Sequence, residues 1–259
     1  MFPSVFVSHG APTLPLDACP ARTFLKGLGA ALPRPRAVLA VSAHWDTEKP
    51  TVNHVHINDT IHDFTGFPDA LYQIRYPAHG SRALVTRTQQ VLHEAGFQVE
   101  DDDARGLDHG VWVPLMLMYP EADVPVIQLS VQSELGPQHH LKLGAALAPL
   151  RGEDVLVLGT GGFVHNLRTL NRSRIDAPEP PWVREFSDWA HAALTEGRTP
   201  DLVNYLKLAP HAAMAHPEEE HFLPLFVALG AGGAKAKAKR LHESTTFGTL
   251  RMDAYAFTS

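Results

Sequence analysis

The sequence AVLAVSAHWD at residues 37–46 begins with the apolar run Ala37–Val41 and reaches His44 after two small residues. The same order recurs in VFVSHGAP at residues 5–12, with His9, and in VLVLGTGGFVHNL at residues 155–167, with His165. Short runs rich in β-branched residues are typical of strands buried on both faces of a parallel sheet. These runs predict an α/β fold with a mixed, largely parallel central sheet flanked by helices.

The rest of the sequence supports one domain, residues 1–259, in which strands alternate with helical patterns. No internal repeat or Pro/Gly/Ser-rich linker divides the chain, and the tract from Gly230 to Arg240 is expected to form a flexible basic surface loop. Residues 51–57 and 249–257 alternate apolar and polar side chains, which predicts edge or antiparallel strands. The strands are expected at 5–7, 37–42, 124–129 and 155–159, and the helices at 22–32, 81–95, 137–150, 181–195 and 217–229.

The composition narrows the class of protein. The chain has 259 residues, a formal charge of −6 and 19% charged residues, so nothing favours binding to nucleic acid or to an anionic membrane. It has no apolar run long enough to span a bilayer and no visible signal peptide, so a cytoplasmic protein is expected. A single cysteine, Cys19, excludes an internal disulfide, whereas 16 histidines are unusually many for a chain of this length.

The histidines that follow the strands indicate a metal centre. Ligands in open α/β sheets collect beyond the carboxyl ends of the strands, where His9, His44 and His165 are all expected. Either His9 or His44 alone would be ordinary as a strand-end residue bonded to the backbone, but together they favour binding of one divalent ion. The turn Gly159–Gly162 lacks the residues of a phosphate-binding loop and is better explained as a tight bend with close backbone approach.

The third ligand is left open by the residues themselves. In HPEEEHFLPL at residues 216–225, His221 is expected one turn inside a helix, and Glu218, Glu219 or Glu220 could take its place. Two histidines and a carboxylate are typical of a non-haem iron site, whereas three histidines could equally hold zinc with one position open.

Other polar residues have weaker context. His109 follows Asp108, but neighbouring side chains often diverge, so by itself His109 would be an ordinary loop histidine. The segment HDFTGFP, residues 62–68, has aromatic side chains that could roof a pocket. A substrate carboxylate could pair with Arg75, Arg105 or Arg168, although a surface ion pair is the more common role for such residues.

The ordered motifs SHGAP, SAHW, HDFTGFP, LDHGVWVPL, GTGGFVHNL and HPEEEHFLPL resemble the LigB-type class III extradiol dioxygenases, most closely the branch of 4,5-DOPA extradiol dioxygenases. The match extends from His9 to the last predicted strand, and the ordered set is far more specific than any single motif. Two departures are visible: protocatechuate-cleaving relatives have a glutamate at the third ligand position, here His221, and the family motif commonly has tyrosine where this chain has Thr65.

The resemblance implies a function and a set of site residues. His9, His44 and His221 match metal-ligand positions, and His109 and His165 match the histidines for oxygen handling and proton transfer, with His165 also a candidate fourth ligand. The implied reaction is ring cleavage of a catechol such as DOPA by dioxygen, which requires Fe(II), although zinc could occupy the site as found. The implied fold is a mixed α/β sandwich with its metal in a cleft at one end.

Two other functions stay open at this point. A zinc-dependent hydrolase could use a metal-activated water with Glu220 as base, and a binding protein could keep the fold and the pocket without catalysis. Oxygen consumption with a catechol separates the first alternative from the dioxygenase. The exact catechol and the oligomeric state are not encoded in any recognisable pattern.

Overall fold

The computed structural model describes residues 1–258, and eight of the ten strands in that range form one sheet. The sheet order is β4-β3-β5-β2-β6-β1-β10-β7, and β8 pairs with β9 in a separate two-stranded ribbon. The strands are β1 (Ser4–Ser8), β2 (Ala37–Asp46), β3 (Thr51–Asn53), β4 (Glu100–Asp102), β5 (Val126–Val131), β6 (Val155–Gly161), β7 (Lys237–His242), β8 (Thr245–Thr246), β9 (Leu250–Arg251) and β10 (Ala254–Thr258).

The four central strands, β5-β2-β6-β1, run parallel, and the antiparallel strands lie toward the edges. Every residue of β1, β5 and β6 is buried. This agrees with the continuous apolar runs of the sequence, because strands covered on both faces have no solvent side on which to place polar residues. The predicted mixed, largely parallel α/β fold is confirmed.

Helices cover both faces of this sheet. They are α1 (Pro20–Ala31), α2 (Asp69–Tyr72), α3 (Arg82–Glu94), α4 (His109–Met118), α5 (Gly136–Leu147), α6 (Pro181–Thr195), α7 (Thr199–Val203), α8 (Tyr205–Leu208), α9 (Ala212–Ala215) and α10 (Leu223–Ala231), with 3₁₀ turns at Ser133–Leu135 and Ala148–Glu153. One face of β2, which carries Val38 and Ala40, packs in the cluster with α1 and α4. The other face, which carries Leu39 and Val41, packs with α3, α5 and α10. Successive side chains of a strand point to opposite faces, so both layers bury apolar residues of the same strand.

Two elements differ from the sequence-based prediction near the site. Strand β2 extends to Asp46, so His44 lies inside the strand, where the register with β5 shifts between Val41 and Asp46. Such an irregularity can change the direction in which a side chain points. His109 lies at the start of helix α4 instead of in a loop. Nine of the ten residues of α4 are buried, so this helix has no polar face and gives no amphipathic pattern.

Other predicted boundaries also change. The helix expected from residue 217 starts at Leu223, because residues 217–222 form turns. The second half of the expected basic loop forms edge strand β7, whose Lys237 and Lys239 are exposed. Charged side chains on an edge strand oppose pairing with another sheet, which gives these lysines a structural role. The strand expected over residues 51–57 is limited to β3, and residues 249–257 form β9 and β10.

No helix in residues 1–258 combines the length and the apolar character needed to cross a bilayer.

Candidate metal centre

Five histidines from distant parts of the chain line one cavity. His9 follows β1, His44 lies in β2, His109 starts α4, His165 follows β6, and His221 precedes α10. The parallel strands place these residues together: the backbone N–H of His9 donates to the carbonyl of Gly161 over 3.0 Å, which ties the ends of β1 and β6. The structure therefore places His9, His44 and His165 together at the carboxyl ends of the parallel strands, as the sequence predicts.

Three of these imidazoles converge through the same ring atom. The Nε2 atoms of His9 and His44 are 3.0 Å apart, and those of His44 and His221 are 3.3 Å apart. Two imidazole nitrogens on one ion, each at about 2.0–2.1 Å, would be roughly 2.9–3.4 Å apart at bond angles between about 90° and 109°. The spacing of the three nitrogens therefore fits a shared divalent ion, and the chain carries a histidine cluster that could hold a metal.

The hydrogen bonds of the second ring nitrogen, Nδ1, in His9 and His221 also favour metal binding. The Thr160 hydroxyl donates to the carbonyl of Gly110, so it accepts a hydrogen bond from His9 Nδ1 at 3.1 Å. His221 Nδ1 donates to Glu220 Oε1 over 2.8 Å. A proton on Nδ1 leaves the Nε2 lone pair free for a cation, which is how such partners orient histidine ligands.

Burial keeps these imidazoles neutral. Burial, and after it the neighbouring imidazoles, holds the pKa of His9 and the pKa of His221 well below the usual range. The pKa of His44 is lowered to about 4, again chiefly by burial and then by His109. Metal ligands must be deprotonated, so neutral rings in a buried cluster suit a cation and would not hold an anion.

Glu220 is assigned by the geometry to a supporting position. Its carboxylate bonds Nδ1 of His221 and lies on an acidic cleft that is separate from the main cavity and also lined by Glu218 and Glu219. The geometry therefore places His221, and none of the three glutamates, facing His9 and His44 in the main cavity, with Glu220 behind it.

His221 is held by the carboxyl end of β6. The Gly162 N–H donates to the His221 carbonyl over 2.9 Å. A Cβ atom on Gly161 would collide with that same carbonyl oxygen, so the backbone approach requires glycine. Residues 159–161 belong to strand β6, so the tight bend expected at Gly159–Gly162 is wrong. The expected close backbone approach is present, and it positions a candidate ligand.

His109 is oriented by Asp63, a residue that the sequence analysis did not single out. Asp63 Oδ1 accepts from both the backbone N–H and the Nδ1 of His109, at 3.0 and 2.9 Å. Its other oxygen, Oδ2, lies 3.6 Å from Nδ1 of His44. Burial raises the pKa of Asp63, but hydrogen bonds and charge from His109 outweigh it and bring the pKa to about 2. One anionic carboxylate thus links a candidate ligand to His109.

Asp108, the sequence neighbour of His109, does something else. Its buried carboxylate accepts from Ser42 Oγ at 2.7 Å and from Gln128 Nε2 at 2.5 Å. Arg105 donates to Asp108 and to the carbonyl of His44, which removes it from the candidates for a substrate carboxylate. These bonds stabilise the backbone around His44 and leave the His109 ring to Asp63.

His165 stacks on His221, with ring centroids 3.4 Å apart and an angle of 8° between the planes. Its backbone N–H donates to Ala215, and no hydrogen bond of its ring is observed among residues 1–258. Burial, followed by the charges of His44 and His109, lowers the pKa of His165 to about 4. His165 is therefore a neutral imidazole next to the cluster with ring nitrogens available to a ligand.

The cavity in front of the cluster has a volume of about 580 Å³. Its walls are mostly apolar, and the charged side chains at its surface are Asp17, Asp63 and Arg172. Such a pocket, apolar with a few convergent polar groups, suits a small aromatic molecule. The apolar wall consists of Ala11, Pro12, Phe64, Phe67, Leu167, Leu170, Phe247 and Leu250.

The remaining sequence candidates lie elsewhere. The segment 62–68 does contribute Asp63, Phe64, Thr65 and Phe67 to the cavity, whereas His62 packs against Phe64, Tyr72 and Trp112 behind it. Arg75 donates to backbone carbonyls, and Arg168 does not line the cavity. Arg172, which does, had no sequence context to mark it.

The chain matches a family model described as the catalytic LigB subunit of aromatic ring-opening dioxygenase over residues 21–258, a range that includes four of the five histidines and starts after His9. It is 47% identical to a 4,5-DOPA dioxygenase extradiol of Beta vulgaris, covering 98% of this chain and 96% of the relative. It is 40% identical to a protein of the same name from Escherichia coli (strain K12), covering 96% and 92%. A crystal structure of an uncharacterised protein from Escherichia coli K12 superposes with a TM-score of 0.82 at 35% identity over 99% of both chains.

Proposed function

The chain belongs to the family of the catalytic LigB subunit of aromatic ring-opening dioxygenase and is an extradiol ring-cleaving dioxygenase, and we propose that it cleaves a catechol such as DOPA at an Fe(II) ion held by His9, His44 and His221. The observation that carries the metal assignment is the convergence of three Nε2 atoms at one end of an apolar cavity. DOPA is suggested by the names of the similar proteins.

Iron, when bound, supplies a Lewis acid for the catechol hydroxyls and a centre that exchanges electrons with dioxygen, which zinc cannot do. The reaction needs no further reductant, because both atoms of dioxygen enter the ring-opened product. The protein has to hold the aromatic ring, orient its two hydroxyls toward the cluster and move protons. Phe64, Phe67 and Phe247 provide apolar surface for the ring and displace water from it.

His165 is the proposed acid/base. Its ring faces the cavity beside His221 and forms no hydrogen bond with residues 1–258, so a ring nitrogen is free to accept a proton from a catechol hydroxyl and to return it when the ring opens. Burial keeps the His165 ring neutral, which is the form that accepts a proton, and histidine is the side chain most often used for such transfer.

His109 is the proposed donor to oxygen. Asp63 accepts the proton on its Nδ1, which holds the ring in one orientation at the wall of the cavity. A hydrogen bond donated from the other nitrogen, Nε2, therefore requires the doubly protonated ring, the form that the adjacent carboxylate stabilises. The ring centroid of His109 lies 4.1 Å from that of His44, which places it beside the candidate ligands without replacing one of them. A positioned imidazole can donate a hydrogen bond where negative charge develops.

The zinc-hydrolase alternative assigns Glu220 as the base for a metal-activated water. Glu220 instead accepts the hydrogen bond of His221 Nδ1 and lines the acidic cleft outside the main cavity. Glu220 in that position supports a candidate ligand and does not line the main cavity. The dioxygenase is therefore favoured on geometry as well as on family membership.

The function is tested by loading the purified protein anaerobically with Fe(II) or with Zn(II) and then adding air and a catechol. We expect one dioxygen consumed for each DOPA or 4-methylcatechol with Fe(II), and no consumption with Zn(II) because zinc has no accessible redox change. Tyrosine, which has one hydroxyl, is the matched control and should not be consumed. Equal turnover by the zinc form, or turnover under strict anaerobiosis, would contradict the proposal.

A further inference from the structure

The charges at the surface of the cavity are unequally available to a ligand. Asp63 is occupied by His109, and Asp17 accepts a hydrogen bond from the Thr13 hydroxyl through Oδ2, over 2.7 Å, which leaves Oδ1 without a hydrogen bond among residues 1–258. Arg172 is the one cationic side chain, histidines apart, that lines the cavity. Its exposed guanidinium forms no ion pair or side-chain hydrogen bond with residues 1–258.

Arg172 is held in place by its backbone neighbours. The Asn171 N–H donates to the carbonyl of Phe247 over 2.9 Å, and the Phe247 N–H donates to the carbonyl of Ile175 over 2.8 Å. These two bonds attach the loop that carries Arg172 to the segment that supplies the aromatic wall. The next arginine, Arg174, is instead paired with Asp176. Arg172 is thus an unpaired cation beside the wall against which the aromatic ring would pack.

We propose that Arg172 binds a carboxylate on the side chain of the catechol and that Asp17 binds an ammonium group on the same side chain. This inference rests on the proposed function, because the hydroxyls of the ring must occupy the histidine end of the cavity. A guanidinium matches a carboxylate with two parallel hydrogen bonds, and a carboxylate accepts from an ammonium group. The substrate class is therefore a catechol with a zwitterionic amino-acid side chain, of which DOPA is one example.

These two contacts should affect mainly the affinity for the substrate. Both contacts are remote from the ring bond that breaks, so their loss should raise KM and leave kcat nearly unchanged. Because Arg172 is exposed, water and salt screen its ion pair, and we expect a change of only about 5- to 10-fold, at the upper end for exposed pairs because the contact with a carboxylate is bidentate.

The test compares four catechols with the Fe(II)-loaded enzyme: DOPA, 3,4-dihydroxyphenylpropionate, dopamine and 4-methylcatechol. Arg172→Ala should raise KM about 5- to 10-fold for the first two, which carry a carboxylate, and leave the other two unchanged. Asp17→Asn should raise KM for DOPA and dopamine, which carry an ammonium group. Arg172→Lys should restore part of the affinity, since it keeps the charge without the planar fork.

The matched control is Arg168→Ala, because Arg168 lies on the same loop but outside the cavity. It should change none of the four KM values. The proposal is overturned if Arg172→Ala weakens all four catechols equally or none of them, or if Arg168→Ala has the same pattern.

A binding measurement separates this inference from the proposed function. Calorimetric titration of the Zn(II)-loaded protein with DOPA and with 4-methylcatechol measures affinity without turnover. We expect DOPA to bind about 5- to 10-fold more tightly, Arg172→Ala to reduce this preference, and Arg172→Ala combined with Asp17→Asn to remove it. If the protein prefers DOPA in the titration but consumes no oxygen, the dioxygenase proposal is contradicted and the role of Arg172 is supported. If it consumes oxygen but shows no preference, the role of Arg172 is contradicted and the dioxygenase proposal is supported.

Discussion

His9→Ala is expected to release the metal and to abolish oxygen uptake. His9 supplies one of three converging Nε2 atoms, and its loss leaves two imidazoles and an opening to solvent. A catalytic metal lowers the activation barrier by several kcal/mol, so the rate of oxygen uptake should fall by roughly 10³-fold or more. Bound iron, measured by elemental analysis after gel filtration, should fall from about one ion per chain to a small fraction.

His9 distinguishes the proposed ligand set from its neighbours. His44 also belongs to a cluster with Asp63 and His109, and His221 to one with His165 and Glu220, whereas His9 belongs only to the set His9, His44 and His221. His93→Ala on the exposed surface of α3 is the matched control and should keep both metal and activity. A His9→Ala protein that folds, as judged by circular dichroism, and retains a full complement of iron would refute the ligand assignment.

His165→Ala has the second largest expected effect and a different signature. If His165 transfers a proton, the variant should keep its iron and lose turnover by about 10²–10⁴-fold, the usual contribution of general acid–base catalysis. His165→Gln should be similarly slow, because an amide can form a hydrogen bond but cannot exchange the proton. The measurements are iron content and single-turnover decay of the catechol after mixing with oxygenated buffer.

The stacking of His165 on His221 makes the iron measurement decisive. If His165 is a fourth ligand, its removal should release the metal from the protein as fully as His9→Ala does. Loss of iron from His165→Ala would therefore replace the acid/base role with a ligand role. Retention of iron together with normal turnover would exclude both roles.

The strand-end histidines were predictable because a parallel sheet is regular. Buried parallel strands appear as continuous apolar runs, and their carboxyl ends meet at one edge of the sheet. His9, His44 and His165 could therefore be expected together from the sequence alone. The residues alone left His221 as one of four candidates for the third ligand, and the family resemblance then favoured His221 and added His109. The structure brings all five to one cavity.

The partners of these histidines were not predictable in the same way. Asp63 reaches His109 across 46 positions of sequence, while the adjacent Asp108 turns away to Ser42 and Gln128. Such contacts depend on how loops pack, and loop packing leaves no periodic pattern in a single sequence. The aspartate in HDFTGFP was the available signal, but only the aromatic residues of that segment were singled out.

Helix α4 and Arg172 show two other limits. The helix is buried on all sides, so it gives an apolar run with no helical period, and His109 looked like a loop residue. Arg172 lies in an irregular loop whose position is set by the bond from Asn171 to Phe247, which are 76 residues apart in the chain. Its relation to the cavity exists only in three dimensions.

The central claim is that His9, His44 and His221 share one catalytic iron ion. Its most direct test is anomalous diffraction at the iron edge from crystals of the protein loaded anaerobically with Fe(II). We expect a single strong peak within about 2.0–2.3 Å of all three Nε2 atoms. A peak between His44, Asp63 and His109 instead, or no ordered iron near His9, would contradict this account.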